Sequence, residues 1–501
     1  MYFLKYDVII AGAGAAGLYT ALNLSAELKV LVLSKDDPSL CNSALAQGGI
    51  AAVLDKESDS FLLHMEDTLT AGGHENNPDA LRILVEEGPE QILRLRDNFG
   101  VNFDKADSGK LSLTLEGGHS RNRIVHCKDT TGFQMLETLF SRVTERENIT
   151  VLPNSALVDI YKDGENFFLT VCDSTGESYL YYTTKHTVIA TGGIGKLYKY
   201  TTNSKIATGD GIYFAEKLGA VVRNLSYIQF HPTAFDENFS ENNPYGHQCF
   251  LLSEAMRGEG ALLLNCRKER FMPEYEPERL ELAPRDVVSR CIMSEQKKTG
   301  SWEFYLDISG RDSEFVKNRF PGIYKNLLKR GIDITKEPAP IYPCQHYLMG
   351  GIAVDADGRT SVPGLFAAGE CSCTGVHGNN RLASNSLLEA LVFPKRIADV
   401  ISAVPAGYDE NIPVPESFLN DKSAPSADLD LIGTIRSEVQ KIMQTSYFVT
   451  PDIAECRKNL PQLESYFEII GKKNYRLTPE LIEVTAMTKI AINVLTEIIK
   501  R

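Results

Sequence analysis

Residues Tyr6 to Ile10 are mostly apolar and predict a strand covered on both faces, as in a parallel sheet. A glycine-rich loop follows, then a helical run from Leu18 to Leu28 and a second apolar strand at Val30 to Leu33, which together make a βαβ opening. Between Val151 and Ala190 the period changes to short alternating strands, Phe167 to Val171 and Tyr179 to Thr183, parted by the turn sequence Asp173-Ser174-Thr175-Gly176. This predicts an antiparallel insertion within the first unit. From about Phe235 to Pro340 charge and proline rise, with a helical run at Pro284 to Lys297, and the segment reads as a second unit inserted into the first. A strand and turn at Gly364 to Glu370 and a helix from Asn385 resume the earlier pattern. After a proline-bearing linker, Pro405 to Pro425, amphipathic helices such as Leu481 to Ile499 close the chain.

At 501 residues the chain is too long for one hydrophobic core and predicts several domains with room to enclose a cofactor. The 43% hydrophobic and 24% charged shares are those of an ordinary globular protein. A net charge of -14, a pI near 5.3 and no basic stripe argue against nucleic acid or an anionic membrane as partner. An anionic substrate must therefore meet a local group of Arg and His. The ten cysteines form neither a C-x-x-C pair nor a metal-ligand cadence, which fits reduced thiols, and Cys371-Ser372-Cys373 suggests no chemistry. Met1 to Lys5 run into the first strand without room for a signal peptide, and no apolar stretch approaches the ~18 to 20 residues of a transmembrane helix. A cytoplasmic location is expected by elimination.

Gly12-Ala13-Gly14-Ala15-Ala16-Gly17 is a G-x-G-x-x-G loop between strand and helix, where glycines allow a tight turn and a pyrophosphate rests on the helix N-terminus. Alone it does not separate FAD from NAD. Ala190-Thr191-Gly192-Gly193 and Gly364-Leu365-Phe366-Ala367-Ala368-Gly369-Glu370 each end a strand as a chain does when it returns to cover FAD, and the three segments together favour the flavin. The second strand ends Leu33-Ser34-Lys35, where the fingerprint wants Asp or Glu for the ribose, and Asp36 comes one residue late. Two readings stay open there: Ser34 or Lys35 serves the ribose or phosphate, or the segment is a solvated turn. Ser386-Leu387-Leu388-Glu389 reads as a capping box opening the late helix, either as a structural cap or with its free N–H groups turned to the flavin pyrophosphate or ring oxygen.

Four further segments carry a family resemblance: Ala46-Gln47-Gly48-Gly49-Ile50, Gln229-Phe230-His231-Pro232-Thr233, Ser253-Glu254-Ala255-Met256-Arg257-Gly258-Glu259-Gly260, and His377 to Ser386. With these the chain resembles the succinate dehydrogenase/fumarate reductase flavoprotein family. Glu116-Gly117-Gly118-His119-Ser120 followed by Arg123-Ile124-Val125-His126 resembles its branch that oxidises L-aspartate. The resemblance implies an α/β fold: a Rossmann-like FAD-binding domain at 1–233 and 345–410, an inserted α+β capping domain at 234–344, and a C-terminal helical domain at 416–501. It implies cofactor contacts from Gly12, Ala13, Gly14, Ala15, Ala16, Gly17, Ser34, Lys35, Ser43, Ala44, Ala46, Gln47, Gly48 and Gly49. Ala190, Thr191, Gly192, Gly193, Asp210, Gly369, Glu370, Ser386 and Leu387 complete that set.

A four-carbon dicarboxylate needs two anion clamps, which forked guanidinium groups supply bidentately. By resemblance these are Arg285 and Arg381, with His231, His346 and Ser253 completing the carboxylate contacts and Gln229 the polar lining. Read without the family, Arg285 pairs with Asp286 near a helix start. Glu116 discriminates, because aspartate differs from succinate by an ammonium group. At roughly 4 Å and an effective dielectric of 20 such a pair amounts to about 4 kcal/mol before desolvation. Glu116 is of the right class to accept the amine proton, and family analogy makes Arg285 a proton shuttle in fumarate reduction.

The resemblance implies L-aspartate as substrate, iminoaspartate as product, dioxygen or fumarate as oxidant, and hand-over of the product to quinolinate synthase on the way to NAD. A soluble fumarate reductase or succinate dehydrogenase flavoprotein is the rival. Two departures stand out. Succinate dehydrogenases bind flavin covalently through a histidine before the A-Q-G-G segment, where this chain has Asn42 or Ser43 and no histidine between Met1 and Ser60, so non-covalent FAD is expected. Family members also commonly continue beyond the position of Arg501 with an Arg-, Ser- and Gly-containing tail.

Overall fold

The structure, a computed structural model, describes residues 4–176, 178–235, 248–404, 424–472 and 475–501. Met1 to Phe3 and most of the linker from Pro405 lie outside them. Strand β1 (Val8–Ala11) is buried at every position, because it runs through the middle of a parallel sheet. It starts two residues later than the hydrophobic run suggests, since Leu4 and Lys5 pair with Tyr182 and Thr183 in a different sheet. Helix α1 (Ala15–Asn23) begins inside the glycine loop and ends at Leu24, whose backbone is extended. Strand β2 (Val30–Leu33) then returns beside β1, Val8 facing Val30 and Ala11 facing Leu33.

Strand β3 (Ile149–Leu152) extends this sheet, and β4 (Ser155–Asp163), β5 (Asn166–Asp173) and β6 (Tyr179–Thr184) form the expected antiparallel insertion. Strand β7 (His186–Ile189) goes back to the parallel sheet on the other side of β1. Two long strands, β8 (Ile228–Phe235) and later β11 (Ala339–Leu348), pair antiparallel from Ile228↔Leu348 to Phe235↔Ile341. They carry the inserted unit between them: β9 (Leu262–Leu264), helix α2 (Arg285–Thr299) and β10 (Phe304–Asp307), in the sheet order β8-β11-β10-β9. This unit has its own core around Met256, Ile292, Phe304 and Phe320.

Strand β12 (Leu365–Ala367) completes the parallel sheet, whose order is β12-β7-β1-β2-β3. Helix α3 (Asn385–Ser402) packs along α1. Three helices, α4 (Leu429–Ser446), α5 (Ile453–Gly471) and α6 (Pro479–Lys500), pack on one another, and α6 also lies on Asp210–Lys217 and β4. All ten cysteines are free thiols. Among the described residues no helix is long and apolar enough to cross a membrane.

Candidate active site

At the C-terminal end of β1 the chain turns on Gly12, whose φ of +121° suits glycine alone, and a Cβ there would fall 2.1 Å from Ala190 O. A Cβ on Gly17 would fall 1.9 Å from Gly12 O, so both glycines are needed for the loop, the β7 end and α1 to meet. Gly14 is different: it caps α1 without a side-chain hydrogen bond, and its nearest neighbour to a Cβ, Ser43 Oγ, lies at 3.4 Å. Ser43 Oγ accepts from Ala15 N at 3.1 Å, which draws the Cys41–Ala46 turns onto the helix start.

One cavity runs from this loop to the inserted unit. Its wall includes Gly12 to Ala16, Ser34, Lys35, Ser43, Ala46 to Gly49, Ala190 to Gly192, Asp210, Gly369, Glu370, Ser386 and Leu387. The expected contacts Gly17, Ala44 and Gly193 are not part of that wall. Gly193 makes room for a side chain instead, since a Cβ there would meet Glu370 Oε1 at 2.1 Å. Burial pushes the Glu370 carboxyl up to about 7.

Lys35 is not a free donor. Its Nζ reaches Asp210 at 2.7 Å, Thr208 Oγ1 at 2.7 Å and Glu483 of α6 at 2.9 Å, which occupies all three ammonium protons. A carboxylate, that of Asp210, nevertheless stands on the same cavity wall, paired with Lys35. Asp36 pairs with Lys205 outside it.

The capping box at Ser386 does not form. Helix α3 starts after Ser384, which adopts φ +62° and makes no cap bond, and Glu389 accepts from Thr374, Tyr347 and His377 in the interior. A local pattern lost to tertiary partners. The start of α3 nevertheless faces the cavity through Ser384, Ser386 and Leu387.

At the far end the cavity is lined by Glu116, Ser253, Arg285, His346 and Arg381. Gln229 lies behind them and joins the two arginines: its Oε1 accepts from Arg285 Nη1 at 2.9 Å and Arg381 Nη2 at 3.4 Å. Its Nε2 donates to Asn380 Oδ1 and Arg381 O, both at 2.8 Å. Burial, and then the neighbouring Arg285, pulls the Arg381 guanidinium down to about 10. Arg381 Nε is buried without a hydrogen-bond partner.

His231, expected among the carboxylate contacts, is fully buried and not part of the cavity wall; its ring packs against that of His346, centroids 5.0 Å apart, and burial followed by Arg285 holds both well below the usual histidine range. They are neutral at physiological pH. Thr233 N donates to His231 Nδ1 at 3.2 Å, so His231 carries its proton on Nε2, which is buried without a partner. His346 Nδ1 lies 2.6 Å from Thr202 Oγ1. Ser253 is engaged as a helix cap, accepting from Ala255 N at 3.3 Å.

Glu116 is buried, and Ser384 Oγ donates to its Oε2 at 2.5 Å. Burial drives its carboxyl above the ordinary range, with Glu254 adding to the effect and Ser384 and Arg285 opposing it. Its loop is wedged against the inserted unit: a Cβ on Gly117 would meet Glu254 Oε1 at 2.3 Å, and Gly118 N donates to Leu282 O at 3.1 Å. A Cβ on Gly48 would come 2.8 Å from Glu116 Oε1, so the A-Q-G-G segment meets this carboxylate directly.

The FAD binding domain model matches residues 7–387. An L-aspartate oxidase of Clostridium perfringens is 49% identical over 390 residues, covering 78% of this chain and 85% of that protein. One of Pseudomonas aeruginosa is 38% identical over 512 residues, covering 97% and 91%. The chain belongs to the L-aspartate oxidase family. A mutant FrdA of E. coli quinol fumarate reductase has the same fold, with a TM-score of 0.87 at 28% identity over 100% of this chain and 90% of that one.

FAD is therefore the cofactor, and the cavity suits it. The uncapped start of α1 faces the cavity, Gly14 leaves its backbone open to a diphosphate, and Gln47 Oε1 is a buried acceptor with no protein partner. Two buried residues grouped with Arg285 escaped sequence reasoning: Glu254, which lines the cavity, and Arg257, which does not. Glu254 sits between Arg285 Nε at 2.5 Å and Arg257 Nη2 at 2.6 Å, and the guanidiniums outweigh burial to hold it below the ordinary carboxylate range. Both Glu254 and Arg257 stand in the quoted Ser253–Gly260 segment, where the i, i+3 spacing of acid and base was the available signal.

Proposed function

We propose that this chain binds L-aspartate by its two carboxylates at Arg285 and Arg381 and oxidises it to iminoaspartate. FAD, when bound, supplies the acceptor for the hydride lost from the α-carbon. Gln229, bonded to both guanidiniums, sets their separation, so that a four-carbon diacid is held in one orientation. The neutral rings of His231 and His346 offer hydrogen bonds without adding charge, and burial of the cavity's far end keeps water from competing.

The two glutamates divide the acid–base work through their surroundings. Glu254, between Arg285 and Arg257, stays ionised and keeps the guanidinium pair in place. Glu116 is the more basic, because it is buried and lacks a cation of its own at bonding distance among the described residues. Meeting the substrate ammonium, it pairs with that charge and takes a proton as the amine becomes an imine.

Glu116 carries this reading: a buried carboxylate shares one cavity wall with two arginines. Steady-state turnover with L-aspartate and with succinate tests it. Turnover of L-aspartate is expected, and its absence with succinate oxidation intact overturns it in favour of a succinate-oxidising or fumarate-reducing flavoprotein. Peroxide formation under dioxygen and succinate formation under fumarate identify the oxidants. Iminoaspartate hydrolyses readily, which supports prompt transfer to quinolinate synthase as the opening of NAD synthesis. The flavin is held without a covalent bond, given Asn42 and Ser43 where a histidine would be needed.

A further inference from the structure

Glu389 is a buried carboxylate with no part in the chemistry above. It lies on α3, outside the cavity wall that Tyr347 helps to line, and is 1% exposed. Thr374 Oγ1 donates to it at 2.6 Å, Tyr347 OH at 3.1 Å, and His377 Nε2 lies 3.0 Å away. These partners outweigh burial and hold it below the ordinary carboxylate range, so it is an anion. The Tyr347 ring is braced edge-on by His377, with centroids 5.5 Å apart at 87°. Its face carries the Arg381 guanidinium, 4.3 Å from the ring centroid.

We propose that Tyr347 is a positioning residue for Arg381, its ring forming the seat of the guanidinium and Glu389 fixing and electronically enriching that ring. This rests on the reading that Arg381 holds a substrate carboxylate. Arg381 needs such a seat: its Nε has no partner, one fork contact goes to Ser386 and the other to Gln229 at 3.4 Å. Hydrogen bonds alone leave the guanidinium plane free to tilt. A flat π face beneath it removes that freedom, and a carboxylate bonded to the phenol pushes electron density toward the cation. His346, the sequence neighbour of Tyr347 on β11, lines the same cavity because the strand alternation is broken by a bulge: Gln229 pairs with Tyr347 but Phe230 with Gln345, which leaves His346 unpaired between them.

The test uses the FAD-loaded Tyr347→Leu, Tyr347→Phe and Glu389→Gln variants, with KM for L-aspartate, kcat, thermal midpoint, and succinate affinity from perturbation of the flavin spectrum. In Tyr347→Leu, KM and the succinate dissociation constant are expected to rise together by about tenfold, more than kcat falls. Tyr347→Phe keeps the face and should restore most of the loss, leaving about threefold, and Glu389→Gln should match Tyr347→Phe within about twofold. A lowered thermal midpoint with both constants unchanged in Tyr347→Leu makes the residue structural and overturns the proposal. If Tyr347→Leu does not fold, equal succinate affinity in wild type, Tyr347→Phe and Glu389→Gln overturns it. Succinate binding is read without turnover, so failure of aspartate oxidation would sink the proposed activity and leave this result standing.

Discussion

Arg285 Nε donates to Glu254 Oε2 at 2.5 Å, while Asp286, next to Arg285 in the chain, pairs with Arg290 at 2.7 Å. Glu254 and Arg257 are both buried, and removing one partner of a buried ion pair leaves the other charge uncompensated. Glu254→Gln is therefore expected to lower stability by about 3 to 5 kcal/mol in chemical denaturation and to lower kcat by at least about a hundredfold. Asp286→Asn keeps an oxygen to accept from Asn380 Nδ2 and loses only the half-exposed pair with Arg290, so it should cost less than about 1 kcal/mol. Equal losses in the two variants would remove Glu254 from its place between the guanidiniums.

Gly12→Ala places a methyl group against Ala190 O, at 2.1 Å, in a backbone region that L-residues avoid. The strand end, the loop and β7 cannot all keep their places. The variant should be isolated without flavin, with A450 per protein below about a tenth of wild type, because the loop forms the diphosphate seat. Gly14→Ala, whose new Cβ meets nothing nearer than Ser43 Oγ at 3.4 Å, should fold as well as wild type yet bind FAD more weakly, as titration of the apoprotein would show.

Features that depend on neighbours in sequence were readable before the structure. The β1–α1–β2 unit follows from apolar periods and glycine sterics, and the ends of β2 came out at Val30 and Leu33 as the pattern suggests. The cavity wall followed from family motifs, not from physics: nothing local separates Arg285 paired to Asp286 from Arg285 paired to Glu254. Ser386 to Glu389 misled because S-x-x-E describes a cap only when the glutamate has no better partner, and Tyr347, Thr374 and His377 are brought to it by tertiary packing. Lys35 was ambiguous for the same reason, as Glu483 stands 448 positions away in sequence and meets it only through α6.

Asn42 Oδ1 accepts from Ser204 N at 2.8 Å, and Ser43 Oγ from Ala15 N at 3.1 Å, so the side-chain oxygens in the place of the flavin-linking histidine are taken up by backbone amides. Neither is a nucleophile of the imidazole kind. Acid precipitation of the holoprotein is expected to leave essentially all FAD in the supernatant. A yellow, fluorescent protein pellet would contradict this.

Glu116 should set the acid side of the pH profile. Its carboxyl is raised by burial above 4.5, so as pH falls it takes up a proton before an ordinary glutamate does. A protonated Glu116 neither pairs with the substrate ammonium nor accepts its proton. kcat/KM for L-aspartate should thus fall on the acid side with a midpoint above 4.5, and Glu116→Gln should abolish both that limb and most of the turnover, by about a hundredfold or more. The stability linkage runs the opposite way. A raised native value favours the folded form at low pH, and that contribution is lost as pH rises through the native pKa. The apoprotein's stability should therefore fall less steeply with rising pH across this window in Glu116→Gln than in wild type, by denaturant titration at each pH. Succinate has no ammonium, so its binding should tighten in Glu116→Gln at pH 8, where the native carboxylate repels a dianion. An unchanged or weakened succinate affinity there would place the side chain away from the bound diacid.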